Sequence, residues 1–175
     1  MNEPRTRLAE ASVGLRPPRN RVERRAVTWW TLRSLGSLVV VLAGLTAAAA
    51  LVEPARAWFV AALVVAAVLG VSGAAVVPRW RYQVHRWETT DQAVYAATGW
   101  FVREWRVVPI SRIQSVDTVR GPLQQLLGLA TVTVTTASPR SGAGSLTIVG
   151  LDRDVAVELA DHLTEITQAT PGDAT

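Results

Sequence analysis

The chain has 175 residues, 49% of them hydrophobic and 18% charged, with a formal net charge of +4 and no cysteine. A mean hydropathy of +0.22 and a pI near 10.9 are more apolar and more basic than a soluble domain of this size needs. This length holds one globular domain beside a membrane element, and the missing cysteine excludes disulfides, thiolate metal sites and cysteine nucleophiles.

All 18 basic residues are arginine, as expected of a GC-rich coding sequence that also favours alanine and valine. Residues 1–28 carry Arg5, Arg7, Arg16, Arg19, Arg21, Arg24 and Arg25 among three prolines and read as a disordered basic tail. Residues 29–78 read as a two-helix transmembrane hairpin. No charge interrupts residues 34–52, and about nineteen residues at 1.5 Å each nearly match a hydrocarbon core of about 30 Å. Trp29, Trp30 and Arg33 stand at the entrance of this run, where indoles and helix-end arginines suit the headgroup level. Glu53, Pro54, Ala55 and Arg56 break the pattern, and residues 57–77 form a second uncharged run, carrying Trp58 near its start and ending at Pro78. So short a link returns the second helix antiparallel to the first, and Gly36, Gly44, Gly70 and Gly73 permit close helix contact. Ala55-Arg56-Ala57 resembles a signal-peptide cleavage site, but the apolar run before it exceeds a signal h-region and a second full span follows. Arginines crowd the N-terminal flank and recur at Arg79, Arg81 and Arg86, whereas the loop has only Arg56. The expectation is a plasma-membrane protein with both termini and the C-terminal domain in the cytoplasm. Trp80, beside Arg79 and Arg81, is the interfacial candidate at the membrane exit, while Trp87, Trp100 and Trp105 read as packing residues.

Residues 79–168 form the domain. Short segments with a period near two and breaks every eight to twelve residues predict a curved antiparallel sheet or partly open barrel. Strands are expected at 81–87, 91–97 and 100–108, the latter two flanking the Thr98-Gly99 turn, then at 110–119 with an irregular entry after Pro109. Residues 129–136 alternate Ala130, Val132 and Val134 with threonines and form the clearest strand. A Gly- and Pro-rich turn at 138–145 precedes a strand at 146–149. Asp152 then offers its carboxylate to the start of a closing helix with Val155, Leu159, Leu163 and Ile166 on its apolar face and Asp154, Glu158, Asp161 and Glu165 as a solvated face. Residues 169–175 read as a disordered tail.

The run Val108-Pro109-Ile110-Ser111-Arg112-Ile113-Gln114-Ser115-Val116, followed by Gly121-Pro122-Leu123, Gly128-Leu129-Ala130 and Thr136-Ala137, resembles the bacterial pleckstrin-homology-like (PH-like) membrane proteins called YdbS-like. In this sequence Gln125 stands where that family often has a basic residue, and Ser138 where it usually has glycine. The resemblance implies a mainly-β PH-like domain capped by a helix, no enzymatic activity, no cofactor, and partnership with a larger related PH-like membrane protein. The residues themselves read as core at Ile110, Ile113 and Val116 and as a sharp turn at Gly128. The leading expectation is thus a noncatalytic membrane module that acts in assembly or, alternatively, recognises anionic lipid headgroups through Arg79, Arg81, Arg86, Arg103 and Arg106. A small membrane hydrolase would need Ser111, Ser115, His85 or His162. The serines lack a nucleophile elbow, and the two histidines lack a metal-ligand spacing. Nucleic-acid binding by the basic tail has no groove-reading motif behind it.

Overall fold

The computed structural model describes residues 18–99, 102–136 and 144–169. Two long helices lead. Helix α1 (Arg25–Leu51) has 27 residues, a 3-10 turn follows at Glu53–Ala55, and α2 (Arg56–Val84) has 29. At 1.5 Å per residue both exceed the roughly 30 Å of a hydrocarbon core, so each projects beyond it. Val39, Val40, Val64 and Leu69 are more than half exposed on their outer faces. Water does not suit so continuous an apolar surface, whereas lipid does, and within the helices the backbone is hydrogen-bonded internally. Arg56 Nε donates to the Ala49 carbonyl at 3.2 Å, closing the loop and placing a cation at the C-terminal end of α1. Of the four glycines, Gly70 is the one where the helices touch, since an added Cβ there would run into the Leu38 side chain.

The second helix overruns its apolar stretch. The sequence pattern predicts its end at Pro78 and a strand over residues 81–87, but the helix continues to Val84, and the strand begins at Arg86. Pro78 is fully buried within the helix. Its missing N–H is a local loss, and the Arg79 guanidinium donates to the Ala75 carbonyl beside it.

Among the described residues, seven strands form two antiparallel sheets. The first orders β1 (Asn20–Arg21), β2 (Arg86–Thr89), β3 (Ala93–Gly99) and β4 (Arg103–Pro109). The second orders β5 (Ile113–Val119), β6 (Leu129–Thr136) and β7 (Ser145–Asp152). Among the described residues no strand pairing closes one sheet onto the other, which makes the domain an open, curved β structure. A 3-10 turn at Ile110–Arg112 supplies the irregular entry after Pro109, and a short α3 (Pro122–Leu126), which no sequence pattern predicts, joins β5 to β6. Helix α4 (Arg153–Ala169) closes the end. The core takes Val94, Ala96 and Val108 from the first sheet, Val132, Val134, Leu146 and Ile148 from the second, and Ala156, Leu159 and Leu163 from α4.

Four expectations shift. Residues 18–28 do not belong to a disordered tail: Asn20 and Arg21 pair with Trp87 and Arg86, and Val22 and Ala26 are buried. Residues 1–17 and 170–175 lie outside the described residues, as do Trp100 and residues 138–143 of the turn expected at 138–145. Helix α4 packs through Leu159, Leu163 and Ile166 as expected, but at its start Ala156 is buried in place of Val155, which is 39% exposed. Val119, grouped with Ile110, Ile113 and Val116, is 58% exposed at the end of β5. Trp105 lies on the outer face of the first sheet rather than in the core, and is 44% exposed.

Candidate functional site at the membrane junction

The junction between hairpin and domain grows from a bulge. Thr131 pairs with Val149 and Ala130 with Leu151, which leaves Gly150 as an extra residue in β7. Its φ of 80° is in the left-handed region, and its carbonyl accepts a hydrogen bond from Glu23 N–H at 2.9 Å. An added Cβ on Gly150 would stand 2.6 Å from the Cβ of Ala26, so glycine permits the first turn of α1 to lie directly on the sheet. Arg25 completes the attachment. Its NH1 donates to the Leu127 carbonyl at 3.1 Å, beside Gly128 at φ 65°, and its NH2 meets the Asp152 carboxylate. Asp152 Oδ1 also accepts from Asp154 N–H at 2.9 Å, capping α4. That backbone hydrogen bond, with the Arg25 guanidinium, holds the Asp152 carboxyl below the usual carboxylate range. A second apolar cluster of Val22, Ala26, Trp30 and Leu129 fills the seam. The segment before the first span and the domain after the second therefore lie at the same end of the hairpin.

On one side of this seam α1 and α2 face β5 and β6 across a groove of about 900 Å³. Of the seven expected interfacial residues, Trp29, Trp30, Arg33 and Arg81 line it together. The Arg81 guanidinium lies over the Trp30 ring, 4.8 Å from its centroid, and Trp30 meets His85 edge-on at 5.3 Å. His85 is buried, and its Nδ1 lies 3.0 Å from the Arg81 carbonyl. A carbonyl only accepts, so Nδ1 carries the hydrogen. Burial, reinforced by the charge of Arg81, pushes the His85 pKa below the ordinary histidine value. Buried under Trp30 and capping α2, this histidine is a packing residue, and His162 is exposed on α4.

The other expected residues lie elsewhere. Trp80 lines a separate concavity with Arg21, Arg86 and Trp105, Arg79 is turned back on its own helix, and Trp58 is 80% exposed at the far end of the hairpin. The five arginines expected to form one basic surface are divided among these places: Arg106 is engaged by Glu104 and the Ser145 carbonyl, and the Arg103 side chain lies outside what the structure describes. Sequence reasoning missed Arg25, which is hidden in a run of arginines, and Gln124, which is buried and donates to Thr131 Oγ1 at 2.8 Å on the groove wall.

Two apolar helices followed by an open β domain and a capping helix have a counterpart in sequence: the model of the bacterial PH domain matches residues 32–167, hairpin included. The chain belongs to the bacterial PH domain family. It is also 33% identical over 98 residues to the UPF0699 transmembrane protein YdbS of Bacillus subtilis (strain 168), an alignment that takes in 56% of this chain and 58% of that protein's length. No solved structure matches. With its two lipid-exposed helices, this bacterial PH domain protein is a membrane protein of YdbS-like type.

Proposed function

We propose that this protein is a noncatalytic platform of the plasma membrane that presents its PH-like domain, in a fixed pose on the cytoplasmic face, to another membrane protein carrying related domains. The observation that carries this reading is β4. It is the edge strand of the first sheet, and no strand pairs with its outer side among the described residues. It also displays Trp105 and Val107, each 44% exposed, beside Val102 at 68%. Edge strands of soluble monomers are usually blunted by charge, and β4 carries Arg103, Glu104 and Arg106; the exposed Trp105 and Val107 among them form the apolar stretch that suits a partner. The seam supports the same reading, because a domain tied to its membrane helices through Arg25, Gly150 and Trp30 holds that edge at a constant height over the bilayer. The arginine excess at the domain end of the hairpin, against Arg56 alone in the loop, supports the cytoplasmic side.

A photo-crosslinking side chain at Val107, in intact membranes of the source bacterium, is expected to capture a PH-like membrane protein. The same probe at Thr118 on β5 is expected not to. Equal capture from both positions, or none from Val107 while the protein is folded, removes the assembly reading.

A further inference from the structure

We propose that the groove between the hairpin and the β5–β6 face binds the phosphodiester of an anionic glycerophospholipid, with Arg33 and Arg81 as its clamp. This goes beyond the assembly reading and rests on different residues. Arg33 on α1 and Arg81 on α2 are near enough for their charges to repel, and both line the same groove. Among the described residues neither guanidinium meets a carboxylate, although Glu23, Glu53, Glu104, Asp152 and Asp154 each hold an arginine elsewhere. Two facing cations without an anion leave a site of net positive charge, and a phosphate between them turns the repulsion into two attractions. Arg81 is held at the groove by its cation–π contact with Trp30, 4.8 Å from the ring centroid, and its guanidinium offers the forked donors that match phosphate oxygens.

The rest of the lining selects a lipid over a soluble phosphate. Trp29 and Trp30 are the residue type that marks the headgroup level, and Arg33 directly precedes the charge-free run of α1. The wall is mixed. Gln124 and Thr131 from the domain and Ser37 from α1 are polar, whereas Val77 at the end of the second span and Val119 and Val149 from the domain are apolar. An amphiphile seated here places its phosphate between the arginines and its acyl chains along the hairpin. The two arginines disfavour a choline headgroup, whose ammonium would add a third positive charge, and accept a glycerol headgroup.

The test uses the full-length protein reconstituted in phosphatidylcholine vesicles containing a minor share of phosphatidylglycerol, extracted in mild detergent and weighed with its retained lipid by native mass spectrometry. Wild type is expected to retain phosphatidylglycerol selectively, and Arg33→Gln and Arg81→Gln each to reduce that retention roughly tenfold, as loss of one charge-assisted contact implies. Arg79→Gln, which removes an arginine at similar depth outside the groove, is expected to leave it unchanged. Should Arg81→Gln fail to fold because the stack on Trp30 is lost, the exposed Arg33→Gln carries the test. Equal retention in wild type and Arg33→Gln overturns the proposal, and so does equal loss in Arg79→Gln, which would mean bulk surface charge. Displacement of the lipid by millimolar inorganic phosphate overturns the lipid assignment in favour of a soluble phosphate. Because the readout is lipid mass, its failure leaves the crosslinking result at Val107 untouched.

Discussion

Substituting Gly150 by alanine probes the attachment of the first membrane helix to the domain. The backbone φ of 80° costs a side-chain-bearing residue about 1–2 kcal/mol. The new methyl would also stand 2.6 Å from the Cβ of Ala26, an overlap of the kind that costs about 1–3 kcal/mol in a packed interior. Gly150→Ala is therefore expected to destabilise the domain by about 2–5 kcal/mol, and to expose the chain around Glu23 to protease as the Glu23–Gly150 hydrogen bond gives way. Thermal unfolding of the reconstituted protein, followed by far-ultraviolet circular dichroism, should show a fall of at least about 5 °C. Gly144→Ala, where an added Cβ meets nothing within 4 Å, serves as the control. The double variant Ala26→Gly/Gly150→Ala separates the two causes, because it relieves the overlap and leaves the backbone strain. Its destabilisation should be smaller than the sum of the single effects. A Gly150→Ala protein within about 0.5 kcal/mol of wild type would refute the close approach, and strict additivity in the double variant would refute its assignment to Ala26.

Asp152→Ala should cost about 1–2 kcal/mol through loss of the α4 cap, while Asp152→Asn keeps the cap and loses the charge. Since the native carboxyl titrates below its unfolded value of about 3.9, its contribution is present above that pH and is lost as pH falls through the folded value. The stability gap between wild type and Asp152→Asn should accordingly close in acid, and a gap independent of pH would contradict the assignment. His85 has the opposite protonation preference to an ion-paired histidine: it is held neutral, so the unfolded chain binds the extra proton. Stability should fall as pH drops below about 6.5 and level off below the folded value, a slope that His85→Phe removes. Because the chain has no cysteine, Glu53→Cys and Thr118→Cys each create a unique thiol. In intact cells a membrane-impermeant maleimide should label the first and spare the second, and the reverse pattern would invert the proposed topology.

The spans were legible because a water-soluble fold of this size has no room to bury two charge-free runs of bilayer length, and β6 because alternating aliphatics and threonines admit one pleated reading. The overrun of α2 was not. Beyond Pro78 the helix leaves the apolar run, and the polar residues Arg79, Arg81 and Gln83 carry no signal that the backbone stays helical. Strand β1 has two residues and takes its order from Trp87 and Arg86, far along the chain, so no local pattern announces it. Helix α3 has five residues, too few for a periodicity, and depends on Gly121 N–H donating to the Gln124 side chain at 2.9 Å. Trp29, Trp30, Arg33 and Arg81 were each legible as interfacial types. Their convergence was not, because it depends on how two helices are rotated against the second sheet, which is set by the Gly150 bulge and the Gly70–Leu38 contact.

The pairing of Asn20 and Arg21 with β2 has a consequence for biogenesis. A ribosome releases residues 18–24 before both hydrophobic segments and β2 after them, so this early stretch must wait for its docking strand until the second segment has emerged. Molecules in which only one of the two segments crosses the lipid hold the two strands on opposite faces and can never complete the first sheet. Their Val22 and Ala26 stay unburied, and correct insertion becomes a precondition of a finished domain.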